Sequence, residues 1–265
     1  MHPYAKHTPR QLRELMRSGN YTQPTAGLAL GYAQANLVIL KQKLAFDFLL
    51  FCQRNAIACP VLEVLEPGRY EAKFLASGSD LRTDLPRYRV FRDGALTDEP
   101  YDITDLWRND LVSFLLGCSF TFEAALIEQG LEVRHISEGR NVPMYVTNIP
   151  CREAGVFSGP LVVSMRPFAA KDVAKAVQIT SRYRAVHGAP VHIGDPAALG
   201  IKDISQPDMG EAVTITPGEL PLFWACGCTP QAVVMQSKPD LVITHSPGHM
   251  FITDRQDRDL ETIGG

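Results

Sequence analysis

The apolar residues of this chain are broken into short runs. Among the longest is Leu111 to Leu116, which Gly117 closes at once, and proline, glycine and small polar residues punctuate the rest. Runs of that length fall far short of a membrane span and suit short strands or short buried helices. A chain patterned this way must gather many small elements around a core. Its 265 residues are enough for one large domain or two smaller ones sharing an interface. Charged residues make up 21%, below the usual quarter, so a sizeable fraction of the chain belongs inside. The net charge is only -3 and no five like charges run together, which gives a nucleic acid no basic stripe to bind.

The start, Met1 to Tyr4, leads into a charged stretch without the apolar core of a signal peptide. The expectation is a soluble cytoplasmic protein that binds no membrane. Its six cysteines (52, 59, 118, 151, 226 and 228) are then free thiols rather than a disulfide framework.

Thr8 reads as an N-cap and Pro9 as the first residue of a helix reaching Ser18. Ala45 to Asn55 reads as a second helix, Cys59 to Glu66 as a strand, and Leu85 to Ala95 as a hairpin turning at Asp93-Gly94. Ala33 to Leu40 suits a strand or a helix start. Leu111 to Leu116 reads as a buried helix, followed by another from Ser119 to Gln129. Farther on, Val142 to Asn148, Leu161 to Met165, Val213 to Ile215, Leu222 to Ala225 and Leu241 to Thr244 are strand-like, and Ala169 to Tyr183 is helical. Alternation of strand and helix at both ends argues α/β. The expected organisation is a three-layer α/β/α domain made of residues 1–131 and 221–265, with a smaller α+β domain, 132–220, inserted.

Four clusters mix glycine with polar residues outside any amphipathic pattern. The first, 24–36, offers Thr25, Gln34 and Asn36 as hydrogen-bonding side chains on a loop that can approach a ligand closely, or it is simply a tight loop feeding the core. The second, 117–123, offers Cys118 as a nucleophile, Ser119, and Glu123 one turn on; buried packing and a solvated carboxylate are the plain alternatives. The third holds Arg134, Asn148 and Arg166, and an arginine fork suits a carboxylate as well as a structural ion pair. The fourth joins 187–196, 224–231 and 244–254 and contains four of the seven histidines. There His192 and Asp195 resemble an imidazole oriented by a carboxylate. His245 and His249 have the spacing of a helical metal pair, but Pro247-Gly248 forbids a helix between them.

The stretches PTAGLALGYAQANL, DFLLFCQRN, GCSFTFEAAL, RHISEGRNVPMYVTNI, GPLVVSMRP, HGAPVHIGDPAALGI, FWACGCTPQ and ITHSPGHMFITD together resemble the D-glutamate cyclase family, from residue 24 to residue 254. Two positions depart from the family pattern: Leu30 stands where proline is expected and Cys228 where an aliphatic residue is expected. The resemblance implies a lyase of amino-acid metabolism that converts D-glutamate to 5-oxo-D-proline and water, or dehydrates a related small carboxylic or amino acid. It implies no cofactor; the lysines lie outside the four clusters. It leaves open whether the chain forms a homo-oligomer. The expected catalytic set is His192, Asp195, His245, Glu123 and Cys118. The expected substrate-binding set is Thr25, Gln34, Asn36, Ser119, Arg134, Asn148, Arg166 and His249. Two rival readings are a metal-dependent hydrolase or lyase built on His192, Asp195, His245 and His249, and a non-catalytic small-acid binding protein.

Overall fold

The computed structural model describes residue 4 and residues 7–261; the start from Met1 to Pro3 lies outside them, as do residues 262–265. Helix α1 (Pro9–Arg17) opens as its sequence dictates. Thr8 Oγ1 accepts from Gln11 N at 3.3 Å and Gln11 Oε1 accepts from Thr8 N at 2.9 Å, with Pro9 first in the helix. Strand β1 (Tyr32–Lys41) runs directly into α2 (Gln42–Arg54), and β2 (Val61–Val64) follows. The hairpin β3 (Tyr88–Arg92) and β4 (Ala95–Asp98) turns at Asp93 and Gly94, both at positive φ.

The run Leu111 to Leu116 is not a helix. It is β5 (Leu111–Gly117), buried along its whole length between β1 and β2. A six-residue stretch that is apolar apart from Ser113 serves a buried strand as well as a buried helix. After a 3₁₀ turn at Ser119–Phe122 come α3 (Glu123–Glu128) and α4 (Arg134–Ser137), then β6 (Met144–Pro150), β7 (Pro160–Ala169) and α5 (Val173–Thr180). β8 (His192–Ile193), β9 (Glu219–Ala225), α6 (Thr229–Ser237), β10 (Val242–His245) and β11 (Phe251–Gln256) complete the order. Val213 to Ile215 forms no strand, whereas α6 and β11 arise where the sequence suggested only site loops.

The strands make two sheets. The larger runs β2-β5-β1-β10-β3-β4, with β11 also paired to β1; the smaller runs β6-β7-β9-β8. The chain mixes helix and strand as its α/β patterning suggests, but every one of these pairings is antiparallel, so the alternation does not build parallel crossovers. Because β9 begins at Glu219, the smaller sheet draws its strands from 144–225.

Period-two alternation explains why β1 is buried on both faces. Leu37 and Ile39 face Leu75, Leu81, Leu115 and Ile243. Val38 and Leu40 face Phe114, the α2 residues Phe48 and Phe51, and Val233 of α6. Each fully buried side chain of this kind contributes about 1.5–3 kcal/mol. The smaller sheet is also covered on both faces. Leu222 and Trp224 pack under Leu126 of α3 and Ile179 of α5, while Tyr145, Met165 and Phe223 meet Leu199 and Ile201. A sulfur-rich seam of Cys118, Met144, Cys226, Cys228 and Met250 joins the end of β5 to the smaller sheet. Among the described residues no helix is long and apolar enough to cross a membrane.

Candidate functional site

Three of the four polar clusters meet at this seam. Thr25 Oγ1 accepts from Met250 N at 3.1 Å and donates to the Gly248 carbonyl at 3.1 Å. Gln34 Nε2 donates to the carbonyls of Thr25 and Leu28, both at 3.1 Å, and Gln34 N donates to Thr121 Oγ1. Asn36 Nδ2 donates to the Gly117 carbonyl at 2.6 Å. Thr25, Gln34 and Asn36, expected to bind substrate, here bond mainly to backbone. All three are buried and their donor groups are taken by backbone, so they fold the 24–31 loop onto 117–121 and 248–250. Gln34 Oε1 is buried without a partner, and Asn36 Oδ1 likewise accepts no hydrogen bond.

Behind that loop lies a buried charge cluster. Arg166 Nε donates to Glu123 Oε1 at 2.9 Å, and Nη2 reaches the same oxygen. Ser164 Oγ accepts from Nη1 at 3.1 Å, and Ser119 Oγ accepts from the same Nη2 at 3.0 Å. The rings of Phe122 and Trp224 lie 5.2 and 5.5 Å from the guanidinium carbon. Burial alone would raise the Glu123 carboxyl, but the charges of His135 and Arg166 and the Arg166 hydrogen bonds hold it below the usual carboxylate range, although His135 Nε2 itself makes no well-aligned hydrogen bond. His135 Nε2 is 3.2 Å from Glu123 Oε1. Its ring stacks on Phe120 and is 1% exposed. Glu123 Oε2 has no partner. Glu123, Ser119 and Arg166 thus do come together, as a buried ionic core in which every Arg166 nitrogen already holds a protein partner while Glu123 Oε2 does not.

Two hollows open beside this core. The larger, about 830 Å³, lies between the 21–30 loop and 135–141, with His135, Arg140 and Asn141 in its wall. The smaller, about 310 Å³, is lined by Arg87, Arg89, Glu99, Ser246 and His249 among others. Pro24, Asn141 and Glu211 line both. His249 is the one predicted binding residue that lines a hollow. Its Nδ1 faces the Pro247 carbonyl at 2.9 Å, so Nδ1 carries the hydrogen and Nε2 the lone pair. Burial lowers its pKa, which keeps the ring neutral at neutral pH.

Other predicted site residues lie elsewhere or are closed off. His245 is fully buried, with Nδ1 between Leu37 N at 3.2 Å and Leu37 O at 3.3 Å and Nε2 3.9 Å from Cys228 Sγ. Burial lowers its pKa to about 4, so it joins β10 to β1 as a neutral ring. Burial pushes the Cys118 thiol far up, which removes the thiolate a nucleophile requires. Cys228, the departure from the aliphatic pattern, packs its sulfur 3.5 Å from Met144 Sδ. All six cysteines are free and buried.

The expected His192–Asp195 pair does not form. His192 Nε2 meets the Asp195 backbone carbonyl at 2.7 Å, while Asp195 Oδ1 caps the next turn by accepting from Ala197 N. His192 pairs across with Phe223, on the opposite face of the smaller sheet from Arg166, so the cleft does not contain it. From the same 187–195 cluster only His187 approaches the seam, through Ile57 and Gly117. Arg134 is tied to Glu219 at 2.6 Å, to Glu132 and to the Thr214 carbonyl. Asn148 is exposed on β6, its side chain against Gly200. The donors of the rival metal site are divided between two sheets, and among the described residues no three His, Cys, Asp or Glu side chains converge as a metal would require.

Among the residues that line the two hollows, His135, Asn141, Arg87 and Arg89 were not singled out from the sequence. Attention to Arg134 obscured the histidine beside it. A signal for the arginines existed: Arg87 and Arg89 alternate with Tyr88 and Val90, which puts two cations on one face of a strand whose other face is core.

Residues 112–254 match the D-glutamate cyclase family. A protein of Geobacillus kaustophilus named "Putative hydro-lyase" is 61% identical over 96% of this chain and 97% of its own length. Relatives of the same name from Stutzerimonas stutzeri and Bacillus pumilus are each 59% identical, over 98% and 99% of this chain and 98% and 100% of their own. A solved structure, of a nitrogen repressor-like protein from Methanococcus jannaschii, matches 88% of this chain and 90% of that one at 8% identity; its TM-score of 0.34 supports no conclusion.

Proposed function

The chain belongs to the D-glutamate cyclase family, and on that footing we propose that it is a hydro-lyase acting on D-glutamate, or on a close small acid, and that its chemistry takes place in the joined hollows. The observation that carries this reading is His135, which lines the larger hollow with its Nε2 3.2 Å from the buried Glu123 carboxylate: an imidazole beside a buried carboxylate is a usual means of moving a proton at a substrate.

Cyclisation of D-glutamate joins its amine nitrogen to the γ-carboxyl carbon and breaks one γ-carbon–oxygen bond. The ammonium loses two protons and the departing oxygen gains two, so the products are 5-oxo-D-proline and water with no net proton released. His249, neutral and with its Nε2 lone pair free, accepts from the ammonium. His135, with the Glu123 carboxylate behind it, delivers to the departing oxygen. Because the His135 ring is 1% exposed, the reading requires the 24–31 loop to yield as substrate enters. Purified protein incubated with D- and L-glutamate and a panel of small acids, with products identified by mass, tests it: the expected product is D-glutamate less one water. A panel left wholly unchanged counts against the reading.

A further inference from the structure

Arg87 and Arg89 project into the smaller hollow under different circumstances. Arg89 is already neutralised: Nε meets Glu99 at 2.8 Å and Nη1 donates to Gln231 Oε1 at 3.2 Å. Arg87 has no ion pair among the described residues. Its Nη2 donates to the Tyr101 hydroxyl at 2.5 Å, its guanidinium carbon stands 5.0 Å from the Tyr101 ring, and its buried Nε has no partner. Arg87 is thus a preoriented guanidinium in contact with no carboxylate, although Glu99 lies near enough to feel its charge, and its plane is held by an aromatic ring.

Each acidic side chain of the same hollow keeps one carboxylate oxygen without a hydrogen bond, and of the three only Glu211 lines both hollows. Glu99 is held by Arg89 and by Ser246, whose hydroxyl donates at 3.3 Å. Asp208 Oδ2 accepts from Val146 N at 2.8 Å. Glu211 Oε2 accepts from Asn141 N at 2.9 Å, while its Oε1 makes no bond and the residue is exposed where the two hollows join. A cation free of any ion pair and an available carboxylate oxygen in one small basin suit a ligand that carries both charges on adjacent groups. A simple anion would be repelled by the three carboxylates, and a simple cation would leave Arg87 unanswered.

We infer that the smaller hollow reads the α-amino-acid head of the substrate, Arg87 taking the carboxylate and Glu211 the ammonium, and so separates amino acids from the matching hydroxy and plain dicarboxylic acids. This rests on the reaction proposed above only for the identity of the substrate. The head group then lies beside His249 Nε2, and the remainder of the molecule extends past Asn141 into the larger hollow.

Binding distinguishes this inference from the proposed reaction, because it does not need turnover. Calorimetric titration of the full chain with D- and L-glutamate, 2-hydroxyglutarate and glutarate should show at least a tenfold preference for an amino acid. Arg87→Met should weaken glutamate binding about tenfold to a hundredfold, the range for losing one charge-assisted contact. Arg87→Lys, which keeps the charge but loses the planar fork, should fall between. Glu211→Gln should narrow the gap between glutamate and 2-hydroxyglutarate while leaving 2-hydroxyglutarate binding unchanged. Each variant's urea midpoint establishes that it is folded. Equal binding of the three acids by the parent chain overturns the inference even if D-glutamate is cyclised, and so does undiminished binding by folded Arg87→Met and Arg87→Lys. Selective binding lost in those variants supports it even if no product forms.

Discussion

Glu123 Oε1 lies 3.2 Å from His135 Nε2 and is held from its other side by Arg166, so one carboxylate oxygen serves both the ionic core and the cleft. If this contact serves catalysis, His135→Gln lowers kcat for cyclisation at least about a hundredfold, the usual size of a general acid–base contribution. Its urea midpoint stays close to the parent's. A folded His135→Gln that turns over at the parental rate would remove His135 from the mechanism and leave His249 as the acid–base group to test.

The same carboxylate predicts a stability effect independent of activity. Glu123→Gln removes the anion that answers Arg166, a guanidinium 1% exposed. Stranding a buried charge costs about 3–5 kcal/mol. Urea unfolding should show a loss of that order, and Glu123→Leu combined with Arg166→Met should recover a large part of it. A double variant no more stable than Glu123→Gln would show that the ionic geometry itself, not charge balance, holds α3 to β7.

Two buried histidines set an acid limit on the fold. Burial lowers both His187 and His245 to about 4, whereas the unfolded rings titrate near about 6.5. A depressed folded pKa gives stability that is full above the unfolded value and is lost as pH falls through the folded one. Between about pH 6.5 and about pH 4, each ring should therefore subtract about 1.4 kcal/mol per pH unit. Unfolding free energies measured at half-unit steps should show this slope, and His187→Asn, which tolerates the positive φ of 84° at that site, should flatten it. An unchanged slope in that variant would assign the acid limit to other groups.

Asp257 works in the opposite direction. Burial raises its carboxyl to about 8, and its Oδ1 has no partner. A raised folded pKa contributes stability that is full below the unfolded value, near about 3.9, and is lost as pH rises through about 8. Asp257→Asn should raise the melting temperature at pH 8 and leave it nearly unchanged at pH 3.5. Equal shifts at both pH values would point to packing rather than ionisation.

Local chemistry was the most legible part of the sequence. The Thr8 cap, the Asp93-Gly94 turn and the apolar runs of β7 and β9 announce their elements because short-range sterics and periodicity decide them, whereas the run of β1 left strand and helix open. Leu111 to Leu116 was misread because its neighbours, not its own residues, decide between strand and helix. The site was less legible for a related reason. Thr25, Gln34 and Asn36 carry the same donors whether they meet a ligand or a backbone carbonyl, and only the fold reveals the carbonyl. His192 and Asp195 are close in sequence, yet the Asp195 side chain finds the Ala197 amide first, as aspartates before a helical turn commonly do. Glu123, Arg166 and His135 come from three separate stretches, and nothing in any one of them announces the other two.

β1 lies at the centre of the larger sheet, and its register with β10 matches Val38 to Thr244 while its register with β11 matches Ala35 to Phe251. More than two hundred positions separate those partners, so a nascent chain leaving the ribosome cannot complete this sheet until nearly all of it has been synthesised. In the meantime β1 can zip only with β5, which leaves its opposite edge, among the most apolar in the protein, open to solvent and to neighbouring chains. High contact order of this kind slows folding and prolongs exposure to aggregation. Growth temperature and chaperone supply should therefore govern the yield of this protein more strongly than its final stability does.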